Sequence, residues 1–182
     1  MTKTLPLVAA SFLAFAAATA AAEDKVSAVL TGYEEVPSVS TAAAGFFRAA
    51  ISRDGQFIEY ELSYKALQGE VTQAHIHLGQ KHTNGGISAF LCATTQPVVA
   101  PTCPPSTASG VTVTGTIGTV EVIGPTGQLI APGEIAELVA GIRAGAAYVN
   151  VHSSAVPTGE IRGQIRRGHR RDRHDDDRRD ND

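Results

Sequence analysis

From residue 25 to residue 165 the chain is dominated by side chains that alternate with a period of two. The clearest run sets Ile58, Tyr60, Leu62 and Tyr64 against Glu59, Glu61, Ser63 and Lys65. A helix would scatter these two sets around its surface. An extended strand separates them, because successive side chains point to opposite faces. Upstream, Phe47, Ala49 and Ile51 alternate toward Arg53-Asp54-Gly55-Gln56. Asp-Gly between two alternating runs signals a hairpin, since a tight turn needs residues that tolerate positive φ. The same reading predicts strands over Lys25–Thr31, Val71–Leu78, Ile87–Ala93, Val111–Ile117, Ala146–His152 and Glu160–Arg166. Val156-Pro157-Thr158-Gly159 is the turn joining the last two.

One segment breaks the alternation. Ile135, Leu138, Val139 and Ile142 recur at helical spacing, with Glu134 and Glu137 early, Arg143 late and Gly145 positioned to end the helix. About eight short strands and one short helix within 182 residues predict one all-β domain. Its expected form is an antiparallel Greek-key sandwich or barrel.

The ends differ from this body. Lys3, the apolar stretch Leu5–Ala18 and the small residues Ala20–Ala22 have the order of a signal peptide, with cleavage expected after Ala22. At the other end, residues 166–182 hold seven Arg and six Asp with almost nothing apolar to bury, and residues 167–182 are expected to form a disordered charged tail. Between them, residues 23–165 carry seven Lys and Arg against twelve Asp and Glu. That acidic balance, with no Trp and few aromatics, offers no basic stripe for phosphates and argues against a nucleic-acid partner. No apolar run after residue 22 approaches the ~18–20 residues that span a bilayer. A periplasmic or secreted protein is therefore expected, in a compartment where disulfides persist. Cys92 and Cys103, the only cysteines, bracket a Pro-rich stretch and are expected to form a structural clip worth roughly 2.5–3 kcal/mol.

The chemistry-bearing residues sit on two predicted strands. In Q-A-H-I-H-L-G, His75 and His77 share one face while Ala74, Ile76 and Leu78 take the other. The apolar set must face the core, so the histidines are expected to project outward. In A-A-Y-V-N-V-H, Val149 and Val151 face inward and leave Tyr148, Asn150 and His152 on the outer face. If the two strands are neighbours, His75, His77 and His152 form a three-nitrogen site suited to copper or zinc. The bland alternative is a polar sheet face whose histidines bond only to their neighbours. Glu160 and Arg162 follow on the next strand, either supporting the ligands or guiding anions. His82 lies in a loop and is a weaker candidate, and Glu34-Glu35 is read as a solvated pair. No hydrolase, zinc-protease or phosphate-loop signature is present.

Four motifs carry a family resemblance: L-T-G-Y-E-E-V-P at 30–37, A-H-I-H-L-G at 74–79 with N-G-G at 84–86, Y-V-N-V-H-S at 148–153, and P-T-G-E-I-R-G-Q-I at 157–165. In this order they resemble the CHRD family, the domain named after chordin and found in many bacterial exported proteins. The resemblance implies an immunoglobulin-like β-barrel over residues 23–166 and little about activity; the chain is expected to act as an exported binding module, with an extracellular protein as one partner class. A fainter likeness runs to copper,zinc superoxide dismutases. It would make His75, His77 and His152 copper ligands and Arg162 an anion-guiding arginine. The second metal's His-rich loop has no counterpart here, and His82 alone could serve as a bridging histidine. Three functions follow as expectations: a metal-binding module, a dismutase-like copper enzyme, or a structural or adhesive module.

Overall fold

The computed structural model describes residues 23–95 and 99–168; the expected signal peptide and all but the first residues of the expected tail lie outside them. Nine antiparallel strands and one helix are found among the described residues. In chain order these are β1 (Asp24–Thr31), β2 (Ala44–Ile51), β3 (Ile58–Lys65), β4 (Val71–Leu78), β5 (Gly86–Ala93) and β6 (Val111–Ile117). Then come α1 (Ile135–Arg143), β7 (Ala147–Ser153), β8 (Ile161–Gln164) and the two-residue β9 (Arg166–Arg167).

The strands run in the spatial order β5-β4-β7-β8-β1-β2-β3-β6, with β9 continuing β8 alongside β1. The outer members, β5 and β6, approach each other across a seam bridged where Ala89 meets Val122, so the sheet curls into a nearly closed barrel. Strand β7 returns beside β4, which gives the Greek-key arrangement expected from the alternation.

The alternating residues account for the core. Ile58, Tyr60, Leu62 and Tyr64 are buried along β3, and Phe47, Ala49 and Ile51 are buried opposite them on β2. Gly55 turns the chain between these strands with φ +70°, a conformation that costs glycine little. Buried tyrosines need a partner for the hydroxyl. Tyr60 donates to the Leu91 carbonyl at 2.6 Å and Tyr64 to the Pro104 carbonyl at 2.6 Å. Helix α1 packs Ile135, Leu138, Val139 and Ile142 inward, and Gly145 follows its end at φ +71°.

The strand predicted to end at Arg166 runs one residue further, since Arg166 and Arg167 pair with Ser27 and Val26. Arg167 also reaches Asp24 at 2.6 Å, and Arg143 of α1 meets the same carboxylate at 2.8 Å. The pairing uses backbone groups at the edge of β1, which is why two exposed arginines can continue a strand.

Cys92 and Cys103 form a disulfide, closing the segment after β5 onto that strand. No helix among the described residues is long and apolar enough to cross a membrane. The chain-entropy model assigns a closed loop of this length about 3 kcal/mol. The double variant C92A/C103A should lose about that much in urea unfolding, at a denaturant slope equal to or slightly above the wild type's because its unfolded chain is no longer cross-linked. A loss below about 1 kcal/mol would show that the segment is held by other contacts.

Candidate metal centre

Strand register builds the site. In the β4–β7 ladder Gln73 lies opposite His152, His75 opposite Asn150 and His77 opposite Tyr148. The β7–β8 ladder sets Asn150 opposite Arg162. Because partners in a ladder share a face, His75, His77, Tyr148, Asn150, His152 and Arg162 form one layer. Ala74, Ile76, Val149, Val151 and Ile161 form the core layer behind it. On the other side of β4, strand β5 slips by one residue beside His75 and again beside His77. Such bulges re-aim side chains and twist the strand locally.

The histidines point away from the barrel core, as expected, but not into solvent. His75 is 1% exposed, and His77 and His152 are each 7% exposed. This corrects the expected surface site. The segments after β1, after β4 and after β7 fold over the outer layer and are tied down there. Arg162, 2% exposed, donates to the Gln80 carbonyl at 3.0 Å and the Thr83 carbonyl at 2.8 Å. Asn84 donates its amide to the Val36 carbonyl at 3.2 Å. The guanidinium also lies 3.4 Å over the Tyr148 ring, and that ring stacks on His77 at 4.7 Å and 2° between planes. Arg162 is thus a buried clamp on the covering loop.

Glu160 is likewise buried. It makes no hydrogen bond to the histidines. Its carboxylate accepts from Thr41 Oγ1 at 2.7 Å, from the Gln68 N–H at 2.9 Å and from the Ser153 hydroxyl. It joins three segments of chain that would otherwise end in loose loops. The Glu34-Glu35 pair diverges as adjacent acids do, but only half of it is solvated. Glu34 meets Lys81 at 3.3 Å near the surface, whereas Glu35 turns inward and is buried. Glu35 is the residue that sequence reasoning missed; nothing in E-E-V-P distinguishes the inward acid from the outward one.

The three imidazoles converge. One ligand nitrogen from each of His75, His77 and His152 lies within 4.8 Å of the others. His77 Nδ1 is 2.9 Å from the Gly85 carbonyl, and His152 Nδ1 is 2.9 Å from the Pro157 carbonyl. A carbonyl oxygen only accepts, so each ring carries its proton on Nδ1 and presents Nε2 as a bare lone pair. Gly85 can deliver that carbonyl because a Cβ there would collide with the Leu78 carbonyl. His75 Nδ1 lies 3.2 Å from His152 Nε2 and is therefore the donor in that contact; His75 Nε2 is left without a partner. His82 stays in its turn at φ +65° and does not join the cluster.

Burial keeps these rings neutral. It pulls His75 down to about 3, helped by repulsion from His152 and His77. It pulls His77 down to about 4 against the opposing Gly85 carbonyl, and it lowers His152 as well. Burial likewise pushes the Glu35 carboxyl up, offset in part by the Val36 N–H, Arg162 and the Asn150 amide. Neutral imidazole is the ligand form, and orienting each ring through its second nitrogen is how metal-binding histidines are held. The 3.2 Å between His75 Nδ1 and His152 Nε2 suits two nitrogens around one ion with bonds of about 2.0–2.1 Å, and it becomes a ligand pair once the His75 ring proton moves to its unpartnered Nε2. The donor set fits copper or zinc.

Two consequences are measurable. A histidine whose pKa is lower folded than unfolded contributes stability that is complete above the unfolded value, near 6.5, and is lost as pH falls toward the folded value. The metal-free protein should therefore lose melting temperature from pH 6.5 to 4, while the ring nitrogens of His75 and His77 keep neutral-imidazole NMR shifts down to about pH 5. Rings that titrate near 6.5 would contradict the buried cluster. Separately, Glu160→Gln should cost about 2–4 kcal/mol by setting an amide N–H against buried donors, with the imidazole shifts unchanged. Altered imidazole shifts at neutral pH would return Glu160 to the histidine site.

Comparison with known proteins was informative at the family level alone. No curated protein and no solved structure matches the chain. The family model for the CHRD domain matches residues 26–165, from the middle of β1 to the end of the β8 ladder. That span contains nearly all of the barrel, short of the start of β1 and the two-residue β9, together with the disulfide and every residue of the histidine layer, and the chain belongs to the CHRD family.

Proposed function

We propose that this is an exported CHRD-domain binding module that holds one copper or zinc ion through His75, His77 and His152. The observation that carries the reading is the pair of backbone carbonyls, Gly85 and Pro157, that fix two rings by Nδ1 and leave their Nε2 lone pairs inside a cluster whose three ligand nitrogens lie within 4.8 Å of one another. A merely decorative polar face has no need to bury three imidazoles at the expense of their charged forms. When bound, copper would supply one-electron chemistry and zinc Lewis acidity. The chain's own residues would bind the ion, keep bulk water from it and hold the ring protons on Nδ1 of His77 and His152. The disulfide and the N-terminal signal pattern support export, with periplasm and secretion both compatible.

A dismutase-like copper enzyme is the competing reading, favoured by the likeness of the two histidine strands. We favour binding without turnover, because His82, the residue a bridging role would need, lies outside the cluster. Titration of chelator-stripped protein with Cu(II) and Zn(II) decides the matter. The wild type should take up one equivalent, and His152→Ala should bind about 100-fold more weakly or worse. At a free metal concentration near 100 times Kd, the ion should stabilise the wild type by about 2.7 kcal/mol and the variant far less. Equal uptake by both proteins would remove the site. Superoxide turnover by the copper-loaded protein would favour the enzyme.

A further inference from the structure

The three histidines leave a fourth buried polar group unexplained. Asn150 is 4% exposed and sits on β7 two residues before His152, in the same layer. Its Oδ1 lies 3.1 Å from His77 Nε2. That nitrogen is a lone pair, because the ring proton is committed to the Gly85 carbonyl. Two acceptors thus face each other at hydrogen-bond distance with no proton between them. A buried contact of this kind is unfavourable unless a cation sits where both lone pairs point.

Turning the amide over moves the conflict from His77 to Glu35, where only a protonated carboxyl could meet the amide oxygen. It would set the amide nitrogen against His77 Nε2, but it would send Oδ1 toward Glu35. A Cβ at Gly159 would lie 2.5 Å from Glu35 Oε1 and 2.9 Å from Asn150 Nδ2, so the carboxylate and the amide nitrogen crowd the same glycine. Glu35 Oε1 is itself buried and makes no hydrogen bond. The observed orientation points the amide N–H group toward that carboxylate and leaves the oxygen for the histidines.

We propose that Asn150 Oδ1 is a fourth ligand, so that the ion is held by three imidazole nitrogens and one neutral carboxamide oxygen. This rests on the three-histidine reading and extends it. Mixed nitrogen and oxygen donors favour Cu(II) over Cu(I), whose preferred partners are softer. The ligand set is neutral, so a divalent ion keeps its full charge, with Glu35 as the buried counter-charge nearby. Asn150 thereby sets which ion and which oxidation state the module prefers.

The test is the Cu(II) electron paramagnetic resonance spectrum and affinity of the full chain as wild type, Asn150→Leu and Asn150→Asp. Folding is checked for each by the melting curve. Leucine keeps the volume and removes the oxygen, so it should shift the parallel g and copper hyperfine values and weaken Cu(II) binding by about 10–100-fold. Aspartate keeps an oxygen donor and adds charge; because its second oxygen faces Glu35 it is made together with Glu35→Gln, and this pair should bind at least as tightly as wild type and shift the same parameters in the other direction. The aspartate arm keeps the proposal testable if the leucine variant does not fold. Superimposable spectra for wild type and a folded Asn150 variant, each with one bound ion, would overturn the oxygen ligand and leave the histidine site standing. A wild type that takes up no ion, or that binds as His152→Ala does, would overturn the histidine site and this inference with it.

Discussion

The pairing of β4 with β7 is the contact from which the rest of the molecule's chemistry follows. These strands are distant in sequence, and their ladder fixes two layers at once. Behind the ladder, Ala74, Ile76, Val149 and Val151 are fully buried and belong to the barrel core. In front of it, His75, His77, Asn150 and His152 form the polar layer. A slip of one residue would exchange the two layers, turning imidazoles into the apolar core. Hydrophobic burial on one face therefore enforces histidine geometry on the other, and the site needs no separate device to hold its register.

A polar layer on a sheet would ordinarily be wet. Here it is covered, and the covering is held by two charged side chains sunk beneath it. Arg162 ties down the loop after β4 through the Gln80 and Thr83 carbonyls. Glu160 ties the segments around Thr41, Gln68 and Ser153. Each is satisfied largely by backbone or hydroxyl groups of chain remote in sequence. Isolated, such buried charges would be costly; with several directed hydrogen bonds each, they become the points at which loops are fastened. Closing the loops removes water from the imidazoles, and it is this desolvation above all that keeps the rings neutral.

The division of labour was partly legible in the sequence. Alternation located β3, β4 and β6 and assigned Ile58, Tyr60, Leu62 and Tyr64 to the core, because period-two patterning is a direct image of a half-buried strand. The same rule placed His75, His77 and His152 on one face. What it could not supply was the cover. Alternation reports which way a side chain leaves the sheet and says nothing of what lies over it. The covering segments are irregular, and their positions are set by hydrogen bonds between residues some 80 to 120 positions apart. The burial of Glu35, Glu160 and Arg162 has this one source, since each is covered by a segment elsewhere in the sequence. Arg167 shows the reverse case, since a strand end held by backbone pairing to β1 leaves no trace in its side chain.

The polar layer also explains why a CHRD barrel of this kind can tolerate a site that its own protein groups do not fully satisfy. His75 Nε2 and Glu35 Oε1 are buried without partners, and the Asn150 oxygen faces a histidine lone pair. Buried acceptors in surplus destabilise a fold by some ~1–3 kcal/mol each. The apolar face of the same two strands, continuous with Leu91, Leu138, Ile142 and Ile161, offsets that cost locally. A cation is the one kind of ligand that meets several lone pairs at once, so the surplus that weakens the empty fold is also what would make the fold selective. Stability and recognition are thus carried by opposite faces of one ladder, and a substitution in β4 or β7 changes one of them or the other according to whether its position is odd or even.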